Sequence, residues 1–92
     1  MHFEITFDPL KREKALRERN LDFLDAAVVF EGVNYQWVDD RFEYGEERLV
    51  TIGRLRGRMV VIVWTQRGES RHVISMRKAN EREQERYGKY LD

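Results

Sequence analysis

The middle third of the chain concentrates arginine. Residues 48–78 contain eight lysines and arginines but a single acid, Glu69, although the 92 residues together carry no net charge. Arginine presents a planar fork of N–H donors that matches phosphate oxygens, so this local excess favours an anionic partner. The alternative is a solvated sheet whose basic side chains form ion pairs with the acidic first half of the chain. The basic residues are Arg48, Arg54, Arg56, Arg58, Arg67, Arg71, Arg77 and Lys78.

The residues needed for several other chemistries are missing. The six glycines are isolated, which excludes a glycine-rich phosphate loop. Without cysteine there is no thiolate zinc site, and two histidines, His2 and His72, argue against a histidine-pair nuclease. The acids near residue 40 lack the spacing of metal ligands and are interpreted as a solvated loop. We therefore expect no metal and no cofactor.

Length and hydropathy limit the architecture to one domain, residues 1–92. A chain of this size buries one compact core. The longest apolar run has six residues, Met59 to Trp64, which is too short for a transmembrane helix. No signal peptide is visible at the N-terminus, so the expected compartment is the cytoplasm and no membrane partner is expected.

Apolar periodicity and capping residues predict an α+β fold. Alternation marks the strands, Asp8-Pro9 and Asp22 are suited to begin helices, and Gly32 is suited to end one. The order is strand, helix, helix, three or four strands, helix. The predicted strands are residues 3–7, 35–38, 48–55, 58–65 and 71–77, and the predicted helices are residues 9–20, 23–31 and 79–90.

The register of the predicted hairpins separates two sheet faces. We assume a two-residue turn at Arg56-Gly57 and a second turn that pairs Thr65 with Ser70. One face is then aliphatic and must be covered by helices, whereas the other is mixed and places Arg58 opposite Arg77. Because opposed like charges are unfavourable, a carboxylate or a bound phosphate should lie between them. The mixed face also carries Thr51, Gly53, Val60, Ile62, Trp64, Arg71, Val73 and Ser75.

The mixed face has features that suit RNA. Thr51 and Gly53 leave space above the sheet, and the rings of Trp64, Tyr44 or Tyr87 are candidates to stack on bases. Packing inside the protein is the alternative role for these rings. RNA cleavage without a metal would proceed by attack of the ribose 2′-OH on the adjacent phosphate, with arginine stabilising the developing charge.

Several segments, in order and spacing, resemble the BrnT family of bacterial toxins. They are Phe7-Asp8 with Lys11, Leu21-Asp22-Phe23 with Ala26-Ala27 and Phe30, Tyr44-Gly45-Glu46-Glu47-Arg48, Ile52-Gly53-Arg54, the apolar strand Val60 to Thr65, Ile74-Ser75-Met76-Arg77-Lys78-Ala79, Glu83 and Tyr87. The chain departs from the family between the first two helices. Relatives often have a Lys-His-Gly turn there, and this chain has Glu18-Arg19-Asn20.

The resemblance implies a RelE-like antiparallel sheet with helices packed on one face. It also implies the toxin of a type II toxin–antitoxin pair, a ribonuclease that arrests translation. The implied partner is a BrnA-like antitoxin whose ribbon-helix-helix part binds DNA, so the toxin would contact DNA only through it. RNA is the implied substrate.

Candidate site residues follow from the resemblance and the face argument together. Arg77 and Glu83 are carried over by position, and Arg58 joins them as a catalytic candidate from the register. Glu83 or Glu47 would accept a proton or orient an arginine, unless Glu83 is only a surface ion pair. The candidates for RNA binding are Arg54, Arg71, Lys78, Trp64 and Tyr87. The alternative function is a binding module that uses the same basic face without catalysis.

Overall fold

The computed structural model describes residues 3–41, 43 and 45–92, so His2 and Tyr44, considered above, lie outside the described residues. The predicted α+β class is confirmed. No helix in the described part of the chain is long and apolar enough to span a bilayer. The strands are β1 (Glu4–Phe7), β2 (Asn34–Asp39), β3 (Arg48–Leu55), β4 (Arg58–Arg67) and β5 (Ser70–Lys78); the helices are α1 (Pro9–Arg19), α2 (Ala26–Glu31) and α3 (Glu81–Leu91), with a 3₁₀ turn at Phe23–Asp25.

The predicted capping residues begin the first two helical segments. The Asp8 side chain accepts a hydrogen bond from the Leu10 N–H at 2.9 Å, and Asp22 accepts one from the Leu24 N–H at 2.9 Å. α1 ends at Asn20, whose φ of 55° lies in the left-handed region that ordinarily favours glycine. Asn20 thus closes α1 without a glycine.

The β3–β4 hairpin has the predicted register. The strand order in the sheet is β1-β5-β4-β3-β2, and every neighbouring pair is antiparallel except β1 with β5. Leu55 lies opposite Arg58, and the turn residues Arg56 and Gly57 have φ values of 50° and 81°. Positive φ at both central residues matches the twist of a two-residue hairpin.

The predicted register between β4 and β5 is wrong. β4 continues to Arg67, which pairs with Ser70, and the register shifts between Val63 and Trp64. Trp64 pairs with Val73, but Val63 pairs with Ser75, so Ile74 is an extra residue. We call this irregularity the β5 bulge. Because the side-chain period of a strand is two residues, one inserted residue moves all later side chains to the opposite face.

The β5 bulge also overturns the predicted pairing of arginines. Arg77 lies opposite Val61 and therefore on the aliphatic face of the sheet, together with Ser75. Arg58 pairs with Leu55 at the tip of the other hairpin, on the opposite face. The two arginines are not opposed, so no phosphate or carboxylate is required between them.

The core has two parts, one on each face of the sheet. The larger cluster packs α1, the 3₁₀ turn and α2 against the face that carries Val60, Ile62 and Trp64. α3 packs against the other face, where Leu91 and Tyr87 contact the cluster that includes Val61. The prediction that the mixed face is open is therefore wrong.

Gly53 shows why the mixed face has no space for a ligand. A Cβ atom at Gly53 would lie 2.7 Å from Cγ1 of Val29 in α2 and 3.3 Å from Cβ of Asn34. The missing side chain therefore admits the helix to the sheet. Thr51 is also fully buried, and its hydroxyl is satisfied there because it accepts from the Trp64 indole and donates to Gln36.

Candidate active site

A cleft opens on the α3 side of the sheet, beside the beginning of that helix. Its volume is about 400 Å³. Aliphatic side chains of β3 and β4 form the floor, β2 forms one wall, and β5 with α3 forms the other. The lining residues are Trp37, Val38, Asp39, Asp40, Arg41, Val50, Val61, Val63, Ser75, Arg77 and Glu83. Two of the predicted catalytic residues, Arg77 and Glu83, are thus in one cleft.

Glu83 holds Arg77 by a bidentate ion pair. Nη1 and Nη2 of Arg77 each donate to one carboxylate oxygen of Glu83 at 2.8 Å. Glu83 also accepts from the backbone N–H of Asn80 at 2.9 Å, and Asn80 in turn caps the Glu83 N–H at 2.8 Å. This capping box fixes the carboxylate at the first turn of α3, so the helix start orients the arginine.

The ion pair leaves one edge of the Arg77 guanidinium unused. Nη1 donates to Glu83 and also to the Lys78 carbonyl at 3.3 Å, whereas Nη2 donates once. A guanidinium has five N–H donors, so Nε–H and the second N–H of Nη2 remain. No acceptor among the described residues takes either of them. Two parallel donors of this kind match the geometry of a phosphate or carboxylate group.

A second arginine–carboxylate pair lies on the opposite wall. Nε and Nη2 of Arg41 donate to the two oxygens of Asp39 at 2.8 and 3.1 Å. The Asp39 carboxylate is buried, whereas the Arg41 side chain is 70% exposed. The hydrogen bonds to Glu83 raise the pKa of Arg77, and the nearby charge of Arg41 opposes that rise. The cleft thus places two guanidinium groups within electrostatic reach of each other.

An aromatic cluster adjoins the cleft through Trp37. The rings of Trp37 and Tyr87 stack with centroids 5.1 Å apart and planes 12° from parallel. Tyr35 contacts Trp37, Tyr87 and Tyr90 at centroid distances of 5.9, 5.4 and 5.0 Å. Tyr35 and Tyr90 remain about half exposed. Of the two predicted stacking residues that the structure describes, only Tyr87 belongs to this cluster.

The other predicted site residues lie outside the cleft. Arg58 and Lys78 are exposed on the opposite face of the sheet from Arg77. Arg54 forms an ion pair with Asp92 at the end of α3, with a shortest N···O distance of 3.0 Å. Glu47 lines a neighbouring acidic groove, and its backbone carbonyl accepts from Thr65.

Arg71 and Trp64 belong to the core side of the sheet. The Arg71 guanidinium lies over three rings, those of Phe3, Phe30 and Trp64, at 4.1, 4.6 and 4.3 Å from their centroids. Burial there lowers the pKa of Arg71. Trp64 is 3% exposed, and its Nε1–H donates to Thr51 at 2.8 Å. The buried indole offers no face on which a base can stack.

Comparisons with known proteins identify the family. The family model for the "ribonuclease toxin, BrnT, of type II toxin-antitoxin system" matches residues 7–83. The chain belongs to the BrnT family. It is also similar to the crystal structure of the Brucella abortus ribonuclease toxin BrnT, with a TM-score of 0.66 and 26% sequence identity over 86% of this chain and 99% of that chain. A comparison with curated proteins found no match.

The segment that matches BrnT includes the whole cleft. Its last residue is Glu83, so both ion pairs fall inside the matched residues, whereas Tyr87 and Tyr90 follow them. Arg41 and Asp39 are cleft residues that were not predicted, because the acids of their segment resemble a solvated loop. The alternation Tyr35, Trp37, Asp39 could have placed Asp39 on the face of Val50. Using that signal requires knowing that β2 pairs with β3.

Acid titration should report the Arg77–Glu83 pair directly. Hydrogen bonds from Arg77 lower the pKa of Glu83 from its usual 4.5, with burial opposing and the Asn80 N–H assisting. The stability that this pair contributes is therefore complete above pH 4.5 and is lost as the pH falls through the folded-state pKa. In an NMR titration we expect the Glu83 carboxyl midpoint below 4.5, and a higher midpoint in Arg77→Gln. A midpoint that Arg77→Gln leaves unchanged contradicts the assigned cause.

Proposed function

We propose that this BrnT-family chain is a metal-independent endoribonuclease whose cleft binds the scissile phosphate of RNA. The free Nε–Nη2 edge of Arg77 carries the proposal, because it is a phosphate-binding fork already held in position by Glu83. Arg41 supplies a second cation on the opposite wall. Arg58, proposed from the sequence, has no part in this site because it lies on the other face.

The reaction that fits these groups is a transesterification within the RNA chain, in which the phosphorus passes from the 5′-oxygen to the neighbouring 2′-oxygen. The ribose 2′-OH attacks the adjacent phosphorus, the bond to the 5′-oxygen breaks, and a 2′,3′-cyclic phosphate and a 5′-hydroxyl result. Negative charge grows on the nonbridging oxygens during the attack. Arginines fixed beforehand at that position stabilise this charge more than they stabilise the ground state.

The lowered pKa of Glu83 argues for a positioning role. A carboxylate with a depressed pKa is a weak base at neutral pH, so it is poorly suited to remove the 2′-OH proton. Its three accepted hydrogen bonds instead fix the orientation of Arg77. The half-exposed aromatic cluster next to Trp37, which includes Tyr87, is the surface proposed to stack on a base beside the cut.

Neutralisation by an antitoxin is proposed to act by covering this cleft. Membership of a type II toxin family implies an antitoxin partner. We propose a BrnA-like protein that contacts DNA through a ribbon-helix-helix part. Messenger RNA cut by the free toxin would stop translation, and covering Arg77 would prevent the cut.

The test is cleavage of an end-labelled RNA by the purified protein in EDTA. We expect products that end in a 2′,3′-cyclic phosphate, and no cleavage of the same RNA with every 2′-OH methylated, because the nucleophile is then blocked. Activity that EDTA abolishes and Mg²⁺ restores would contradict metal independence. A folded protein that binds its antitoxin but cuts no RNA would instead be the binding module considered above.

A further inference from the structure

A second cleft, lined by cations, lies on the α1 side of β5. Its volume is about 250 Å³. Ala15 and Phe23, both buried, form an apolar base, and three basic residues of α1 surround it. None of its described lining residues is a carboxylate. The lining residues are Lys11, Lys14, Ala15, Arg19, Phe23, Ile74 and Ser75.

Helix periodicity explains why Lys11 and Arg19 lie on the same side of α1. Ala15 faces the sheet, and Lys11 and Arg19 lie one turn before and one turn after it, so they share its side of α1. Arg19 reaches the edge of β5, where its Nη1 lies 3.4 Å from the Met76 carbonyl. Among the described residues, none of the three cations pairs with a carboxylate. By contrast, Arg12 on the same helix is paired with Asp22 at 2.8 Å.

The β5 bulge joins this cleft to the candidate active site. β1 pairs with β5 as far as Val73, so beyond that residue no described strand pairs with the outer edge of β5, which lies beside α1. Ser75, which follows the extra residue Ile74, lines both clefts. An extended ligand that runs from Arg77 over Ser75 therefore lies next to Lys11 and Lys14.

We infer that the α1–β5 cleft binds the phosphate backbone of the same RNA strand, next to the phosphate held in the active-site cleft. The inference rests on the proposed function, since it assigns the path of the RNA away from Arg77. In the described part of the chain these three cations pair with no carboxylate, and Ser75 lines both their cleft and the cleft of the Arg77 fork. Such cations match a polyanion that continues past the cut. Lysine suits this role because its charge needs no fixed geometry and serves any sequence.

The test is binding of single-stranded RNA in which every 2′-OH is methylated, so that no cleavage occurs. Lys11→Gln/Lys14→Gln removes two phosphate contacts, which should lower the slope of log K against log salt by about 1.4. The affinity for a 15-nucleotide RNA should then fall roughly 25-fold at 0.1 M salt, and much less at high salt. A dinucleotide that occupies only the active-site cleft should bind the variant as it binds the parent.

The matched control is on the same helix. Arg17 lies one turn after Lys14 but does not line the cleft, so Arg17→Gln removes a charge from α1 and should change affinity less than Lys14→Gln. Equal losses from Lys14→Gln and Arg17→Gln would overturn the assignment to the cleft. Retained RNA affinity with weakened antitoxin binding would also overturn it, and would show an acidic protein segment as the occupant.

This experiment is independent of catalysis. The methylated RNA cannot be cut, so the length-dependent loss of affinity tests the α1–β5 cleft even if the EDTA assay shows no activity. If the parent cuts RNA and the double variant keeps its affinity for the long strand, the α1–β5 inference alone is wrong.

Discussion

Arg77→Gln should lower the rate of RNA cleavage about 10²- to 10³-fold, the usual cost of removing one group that stabilises transition-state charge. The variant keeps a side chain of similar shape but loses the charge and the Nε–Nη2 fork. Arg77→Lys should recover only part of the rate, because an ammonium keeps the charge but lacks the two parallel donors. The measurement is the single-turnover rate on labelled RNA, with folding followed by circular dichroism.

A control variant and the expected stability of Arg77→Gln separate this effect from unfolding. Arg54→Gln removes another arginine that pairs with a carboxylate, but at the end of α3 and outside the cleft, so its cleavage rate should match the parent. The Arg77–Glu83 pair is partly exposed, so its loss should cost no more than about 1 kcal/mol of stability. A folded Arg77→Gln protein that cuts within threefold of the parent rate would refute the proposed centre.

Trp64→Ala should lower the free energy of unfolding by about 3–5 kcal/mol. The indole is 3% exposed, packs edge-on against Phe30 with centroids 5.2 Å apart, and donates to Thr51. Its removal leaves a cavity, a Thr51 hydroxyl with one hydrogen bond fewer, and one ring fewer beside the Arg71 cation. The free energy of unfolding of a domain of this size is roughly 5–15 kcal/mol, so urea unfolding should show that Trp64→Ala has lost a large part of its stability.

Trp64→Phe and Tyr90→Ala complete this experiment. Trp64→Phe keeps most of the packing but loses the N–H, so a loss of about 1–3 kcal/mol is expected in a protein that still folds. Tyr90 is 51% exposed, and Tyr90→Ala should cost about 1 kcal/mol or less. A stable Trp64→Ala protein that had lost RNA affinity would reinstate the stacking role first considered for Trp64.

The elements of this fold were predictable because their signals are local. Asp8 and Asp22 cap helices through side chains two residues from the N–H groups they bind, and Arg56-Gly57 closes a hairpin of the shortest length. Each signal lies within a few residues of its effect. The strands, to within two residues at each end, and the β3–β4 register therefore followed from the sequence.

The faces of the sheet were not predictable, because they depend on contacts distant in the chain. Nothing in Val73-Ile74-Ser75 marks a bulge, yet the extra residue decides that Arg77 faces Glu83 rather than Arg58. Thr51 resembles a surface residue until Trp64, 13 positions later, donates to it inside the core. Arg77 and Glu83, which the structure brings together, were nevertheless among the candidates, because the resemblance to BrnT carried them by position.

The β5 bulge determines on which face of the sheet Arg77 lies. On a regular strand Arg77 would share a face with Trp64 and Val73, beneath the first two helices. A chain lacking only Ile74 would pair Ser75 with Val63 and Arg77 with Val61 in a regular ladder, so its arginine would stay on the α3 face. The same residues paired regularly with Ile74 in the ladder would instead turn the arginine toward the core. The way in which β5 accommodates Ile74, and not the composition of the strand, therefore decides which face the arginine takes. A relative that kept both residues of the Arg77–Glu83 pair and the length of β5, but paired this strand without the bulge, would have the residues of the site without its geometry.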